Sequence, residues 1–273
     1  AVCGAMEEFA ETSWATSRTW SKIAGGSKLE LLLSALRGGV SETVVLEVGT
    51  YCGYTSIAIA AEHPKARIFT LELDPMHVAI ARNMVVLAGL AQELHVWTGH
   101  SKYLLPRLAE QQRQGILQSF GALFMDRWGS EYHGDFAALD SSGLLKHGAI
   151  IMADQVFWTG ASLFLWDLMT KMYSSRLFGV HVNDVGINED FLAIAIRDVP
   201  DKPGSHLKQN PEAPAPREFQ RLHNEAETFR EAWVDTAGSR YLGASQLQRF
   251  ASRMQEELLE IISSFPCSHL KMS

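Results

Sequence analysis

An apolar, β-branched run, Val44-Val45-Leu46-Glu47-Val48, passes directly into Gly49. A second glycine, Gly53, follows after three residues, and Ile57-Ala58-Ile59-Ala60-Ala61 then has the composition of a buried helix. Few folds accommodate this order. A short apolar strand that ends in glycines and leads into a helix is the opening unit of an α/β architecture. The strand is buried on both faces, and the glycines let bare backbone approach a ligand at its carboxyl end. The spacing is Gly-x-x-x-Gly rather than the Gly-x-Gly-x-x-Gly of dinucleotide-binding turns, which argues against a nicotinamide dehydrogenase. A tight turn that needs glycine only for packing is the competing explanation.

The pattern repeats along the chain. Residues 66–72 read as a strand ending at Glu72. Asp74-Pro75 then opens a helix, with Asp as N-cap and Pro in the first helical position, and Gly89 is placed to end it. Strands are predicted at 93–98, 121–125 and 147–153, and helices at 102–114, 132–145 and 162–173. Two more strands fit 177–182 and 191–196. The chain between them is too short for a crossover, so they should pair antiparallel. The alternation implies a mostly parallel sheet covered on both faces.

The character changes at Pro200, because five of the nine prolines lie between Pro200 and Pro216. The expected organisation is therefore an α/β domain over 1–199, a proline-rich linker over 200–216 and a helical extension over 217–273, with helices at 218–235 and 245–264. In the second of these, Leu247, Phe250, Met254, Leu258 and Ile261 form one apolar stripe. It must bury against the α/β domain, the neighbouring helix or another subunit, so a homodimer or a protein partner through these helices is an open expectation.

Composition narrows the function classes. Of 273 residues 47% are apolar, enough for a sizeable core, and the net charge of -7 comes without a Lys/Arg cluster, which disfavours a nucleic-acid backbone as partner. No apolar run reaches the roughly 18 residues of a membrane span. The N-terminal segment carries Glu7, Glu8, Glu11, Arg18, Trp14 and Trp20 and is unlike a signal peptide. A cytoplasmic location is expected, although the first residue is Ala rather than Met, which leaves room for a preceding targeting segment. Cys3, Cys52 and Cys267 are odd in number and far apart, as in a reducing compartment. Cys52 reads as a small residue packed in the turn, with a redox-sensitive thiol as the lesser alternative.

Several side chains have the type and position for chemistry. Glu72, at the end of the second strand, can accept the ribose hydroxyls of an adenosine cofactor. Asp126 and Asp154 each end an apolar strand, and Gln155 adjoins the second. Together they offer hard oxygen donors suited to Mg2+, while capping of the following segments is the simpler role. Trp128 and Trp158 follow the same strand ends and suit aromatic walls for a planar ligand, or core packing. The histidines are scattered without a metal-ligand spacing.

These motifs carry a specific likeness. Glu-x-Gly-x-x-x-Gly resembles the first motif of S-adenosylmethionine-dependent methyltransferases. More narrowly, the chain from about Trp20 to Arg197 resembles the catechol O-methyltransferase family. Leu46-Glu-Val-Gly-Thr-Tyr-Cys-Gly-Tyr-Thr55 is close to that family's Leu-Glu-Leu-Gly-Ala-Tyr-Cys-Gly-Tyr-Ser. Met125-Asp-Arg-Trp128 with Tyr132 is similar to Leu-Asp-His-Trp-Lys-Asp-Arg-Tyr. Ala153-Asp-Gln-Val156, continued by Gly160-Ala161, is similar to Ala-Asp-Asn-Val.

The resemblance implies a Rossmann-like methyltransferase fold: a mostly parallel seven-stranded sheet, helices on both faces, and an antiparallel last strand. It implies S-adenosylmethionine and Mg2+ as cofactors and a catechol or similar small phenolic substrate. Glu47, Gly49, Tyr51, Tyr54 and Thr55 would line the cofactor. Glu72 would hold the ribose, Ser101 would lie near the adenine and Trp128 would stack on it. Asp126 would border the cofactor and, with Asp154 and Gln155, bind Mg2+. Asp184 stands where the family has a glutamate for a catechol hydroxyl, and Trp20 where a tryptophan walls the substrate. These residues, with Asp126, Asp154, Gln155 and Asp184 as the catalytic group, are the expected site.

Four positions depart from the family: Gly129 aligns with the catalytic lysine, Gln155 replaces Asn, Arg127 replaces His, and Asp184 is shorter than Glu. The extension beyond Pro200 has no counterpart in the part of the family compared. Two functions are therefore expected in turn. The first is a Mg2+-dependent O-methyltransferase. The alternative is a catalytically impaired relative that binds the cofactor and serves as an interaction or regulatory module.

Overall fold

The computed structural model describes residues 1–17, 23–37, 44–170, 173–184, 187–197, 214–236, 244–265 and 270–272. Two compact units carry these elements: Ala1–Asp126 with Ala138–Met152, and Arg127–Ala137 with Ala153–Ser273.

The first unit begins with two helices that the periodicity did not predict, α1 (Val2–Ser17) and α2 (Ser27–Arg37). Then come β1 (Val44–Val48), α3 (Tyr54–Glu62), β2 (Arg67–Glu72), α4 (Pro75–Leu87), β3 (Leu94–Thr98), α5 (Ser101–Arg113) and β4 (Phe120–Met125). α6 (Tyr132–Ser141) and β5 (Leu145–Ala153) complete the alternation. Strand neighbours run β3-β2-β1-β4-β5. β1 pairs parallel with β2 on one side and β4 on the other, and β2 pairs parallel with β3. The order reverses at β1, so its carboxyl end, which carries the glycine turn, opens at the switch point of the sheet. All five residues of β1 are buried, as a strand covered on both faces requires.

Local signals explain the boundaries. Asp74 caps α4 by accepting from the Met76 N–H at 2.7 Å, with Pro75 first in the helix. Helix α6 stops at Ser141 rather than running to 145. Gly143 takes φ of 70° there, and the Leu144 N–H returns to the Leu139 carbonyl.

The second unit holds a 3-10 turn (Gly129–Glu131), the start of α6, α7 (Ser162–Thr170), β6 (Tyr173–Asp184), β7 (Ile187–Arg197), α8 (Arg217–Thr236), α9 (Ala244–Ser264) and β8 (Leu270–Met272). β6 and β7 pair antiparallel from Tyr173↔Arg197 to Asp184↔Ile187, as their short connection demands. With β1 to β5 they make the seven expected strands of a Rossmann-like α/β fold. The three-residue β8 is an addition, paired parallel with β6. Its shortness leaves no apolar pattern to read.

α8 and α9 are antiparallel: Arg221 meets Glu257, Glu225 meets Arg253, and the Phe229 and Phe250 rings stack at 4.0 Å. Phe250, Met254 and Leu258 of the predicted stripe are buried, with Leu247 and Ile261 half-buried. α8 also packs on α7. The Trp166 and Phe219 rings lie 5.4 Å apart, and the Ser162 hydroxyl donates to the Phe219 carbonyl at 2.9 Å. The approach is close enough that a Cβ on Gly160 would fall 2.4 Å from the Ala226 methyl.

Candidate active site

The glycine turn is shaped by backbone that ordinary residues avoid. Gly49, Tyr51 and Gly53 have φ of 102°, 49° and 85°, two of them glycines that adopt such angles without a Cβ clash. The turn is tied down by Glu72. Its Oε2 accepts the N–H groups of Thr50 at 3.1 Å and Tyr51 at 2.8 Å, and its Oε1 accepts the Asp74 N–H at 2.9 Å. A charged acceptor on backbone N–H groups is a strong form of hydrogen bond. The expected ribose ligand is therefore also the clamp that joins the turn to the end of β2.

His77, in the first part of α4, was not foreseen as a neighbour. Its Nδ1 lies 3.9 Å from Glu72 and 4.0 Å from Asp74, and its ring meets the Tyr51 ring edge-on at 4.8 Å. Burial pushes the Tyr51 phenol up to about 12.

Glu47 faces inward. It is 1% exposed, and its Oε2 accepts the hydroxyls of Ser56 and Thr70. Thr70 in turn shares a 2.6 Å hydrogen bond with Thr50. Burial raises the Glu47 carboxyl to about 7 in spite of these donors, with the Glu72 charge adding to the rise. Tyr54 is likewise buried, and its hydroxyl donates to Glu7 on α1. Glu47 and Tyr54 thus support the turn from within. Thr55 and Ser101 are buried, and Ser101 opens α5. Cys52 is buried, and desolvation lifts its thiol to about 11, so it stays protonated and unreactive at neutral pH.

Asp126 ends the first unit, half-buried, its N–H bound to the Val48 carbonyl at 2.9 Å. Asp154 and Gln155 belong to the second unit. Asp154 is 2% exposed and accepts the Gln155 N–H at 2.9 Å. Gln155 takes φ of 54°, uncommon for a residue with a Cβ. The Tyr132 hydroxyl lies 3.0 Å from the Asp154 carbonyl and 2.9 Å from that of Arg127, anchoring the segment. Among the described residues no group of three or more His, Cys, Asp and Glu side chains gathers as a metal site. The side chain of Asp184 and the whole of Trp20 lie outside the described residues; the Asp184 backbone ends β6.

The loop after β4 is built into its surroundings. The Gly129 N–H donates to the Thr159 hydroxyl at 2.7 Å, and that hydroxyl lies 3.0 Å from the Gln155 carbonyl, to which it donates. A Cβ on Gly129 would lie 2.5 Å from Thr159 Oγ1 and 3.0 Å from both the methyl and the N–H nitrogen of Ala161. A side chain there would have to displace the Thr159 hydroxyl and press on Ala161. Arg127 turns into ion pairs with Glu131 and Asp135. Trp128 packs with Phe229 and Trp233 of α8, each at 6.4 Å. Trp158 buries an indole N–H that has no acceptor among the described residues. His133 is held by Asp167 at 2.8 Å. The aromatic pair at i and i+4 on α8 was the one sequence signal that could have pointed to these contacts.

The O-methyltransferase family model matches residues 6–185. The chain belongs to the O-methyltransferase family. Catechol O-methyltransferase of Bos taurus is 32% identical over 154 residues, which is 56% of this chain and 55% of that protein. The transmembrane O-methyltransferase homolog of Mus musculus is 36% identical over 152 residues, 55% of this chain and 58% of its own. The chain thus spans little more than half the length of these relatives. Among solved structures, the O-methyltransferase TomG of Streptomyces achromogenes, in complex with SAM, aligns with a TM-score of 0.60 at 20% identity. The match covers 72% of this chain and 90% of TomG. The family match stops short of α8 and α9, so the helix whose Phe229 and Trp233 pack on Trp128 lies beyond the part of the chain that the family model matches. Among the described residues no helix is long and apolar enough to cross a membrane.

Proposed function

We propose that this O-methyltransferase uses S-adenosylmethionine and Mg2+ to methylate a catechol or similar phenolic oxygen. The observation that carries the cofactor reading is the turn at the switch point of the sheet, clamped by Glu72. A carboxylate offers about four lone-pair positions, and three are taken by backbone N–H groups. What remains suits a ribose hydroxyl, which would meet a charged acceptor already fixed in place. Tyr51 and His77 flank that carboxylate and would border the ribose.

The donor chemistry fits Mg2+: Asp126, Asp154 and the Gln155 amide oxygen are hard ligands. Bound there, the metal would lower the pKa of a phenolic hydroxyl and make the ionised oxygen available at neutral pH. The chain's own part is positioning and exclusion of water, because methyl transfer to an ionised oxygen needs in-line approach more than a proton relay.

Gly129 supports a second reading, that of a cofactor-binding relative with impaired catalysis. A Cβ at this position, where the resemblance expects a lysine, would crowd Thr159 and Ala161, and this crowding supports the reading. The two readings separate in one experiment. Isothermal calorimetry measures S-adenosylhomocysteine binding, and methylation of a catechol panel is followed with and without a chelator. Binding with metal-dependent turnover supports the enzyme, and binding without turnover supports the impaired relative. No binding refutes both. Turnover indifferent to the chelator, or unchanged in Asp126→Asn with Asp154→Asn, removes the metal.

A further inference from the structure

Outside the family match, α8 and α9 enclose an open groove of about 860 Å³. Its rim carries Arg217, Arg221, Arg249 and Arg253, and its floor includes Phe229 and Phe250. Among the described residues Glu225 is the one carboxylate that lines it. Arg221 and Arg253 are both paired with Glu225 and with Glu257. Arg217 and Arg249 have no acidic partner among the described residues, and both are exposed. A chain of net charge -7 thus presents a locally cationic groove with an apolar floor.

Geometry limits the occupant. In the antiparallel register set by Arg221–Glu257 and Phe229–Phe250, Arg249 lies level with Phe229 and Arg217 lies at the far end of the groove. Twelve helical positions separate those levels, about 18 Å at 1.5 Å per residue. No single small anion reaches both arginines. An extended peptide covers that span with about five or six residues. Arginine and aromatic side chains are the groups that protein interfaces concentrate. An anionic membrane surface would be repelled by the rest of the acidic chain.

We infer that the α8–α9 groove is a docking site for an acidic, extended segment of a partner protein. Carboxylates at its two ends would meet Arg217 and Arg249, and an apolar side chain would rest on the Phe229–Phe250 stack. The floor is also the outer face of the cluster that holds Trp128, so an occupant would touch the aromatic layer behind the O-methyltransferase loop.

The test is fluorescence anisotropy with the full chain and two labelled peptides. One has glutamates at both ends and a phenylalanine beside one of them; the other has lysines in place of the glutamates. The acidic peptide should bind at least about tenfold more tightly, and its affinity should fall as salt rises. Arg217→Glu with Arg249→Glu should reverse the preference. Both positions are exposed on helix surfaces, and circular dichroism checks that the fold is kept. Equal binding of the two peptides, no saturable binding, or indifference to the double charge reversal overturns the proposal. So does a dimer that the double reversal dissociates, since the occupant is then a second copy of the chain.

Discussion

Glu47 offers the sharpest test of the site's electrostatics. In the unfolded chain its carboxyl titrates near 4.5, and in the folded chain near 7, because burial penalises the charged form. Between those values the folded state keeps a proton that the unfolded state has released. The stability tied to this proton is therefore fully present below pH 4.5 and is lost as pH rises through about 7. At about 1.4 kcal/mol per pH unit, the loss across the window is about 3 kcal/mol. Glu47→Gln removes the titration and keeps an oxygen for the Ser56 and Thr70 hydroxyls. Urea unfolding of both proteins, followed by tryptophan fluorescence across this window, gives the difference in stability at each pH. Groups common to both cancel in that difference. Wild type should lose about 3 kcal/mol relative to the variant between the two ends. Parallel pH profiles would mean that Glu47 is ionised throughout, and the account of a neutral carboxyl beneath the turn would be wrong.

Other expectations follow from the same contacts. Glu72→Gln should weaken S-adenosylhomocysteine binding by about tenfold or more, since hydrogen bonds to a charged group contribute about 1.5–3 kcal/mol each; calorimetry with unchanged affinity would take Glu72 out of the ribose role. Gly129→Ala should cost about 1–3 kcal/mol by overpacking against Thr159 and Ala161. Gly129→Lys should be no better tolerated, so installing a lysine should fail to raise turnover; a stable and faster Gly129→Lys variant would refute the packing argument. Gly160→Ala should lower Tm, through both its φ of 69° and the clash with Ala226, and Ala226→Gly should restore part of the loss in a double-mutant cycle.

The parts legible in the sequence were those set by local physics. Apolar runs of strand length, the Asp74-Pro75 cap and the glycines of the first turn each state a backbone preference within a few residues. The parallel strands, α4 and the antiparallel β6–β7 pair follow from them. Helices α1 and α2 were missed because the N-terminal sequence mixes polar and apolar residues without a clear stripe, and β8 is too short to carry a pattern. Side-chain environments were a different matter. Glu47 reads as a strand-end acid, and only its pairing opposite Thr70 reveals an inward carboxyl. The space at Gly129 is decided by Thr159, thirty positions away. The neighbours of Trp128 are Phe229 and Trp233, 101 and 105 positions on. Periodicity and turn chemistry act through a residue's own φ, ψ and its nearest neighbours, so the sequence alone determines the elements and their order. Burial, charge state and free space depend on which distant surfaces meet. Only the tertiary structure decided that Glu72 clamps the turn and that a Cβ at Gly129 would crowd Thr159 and Ala161.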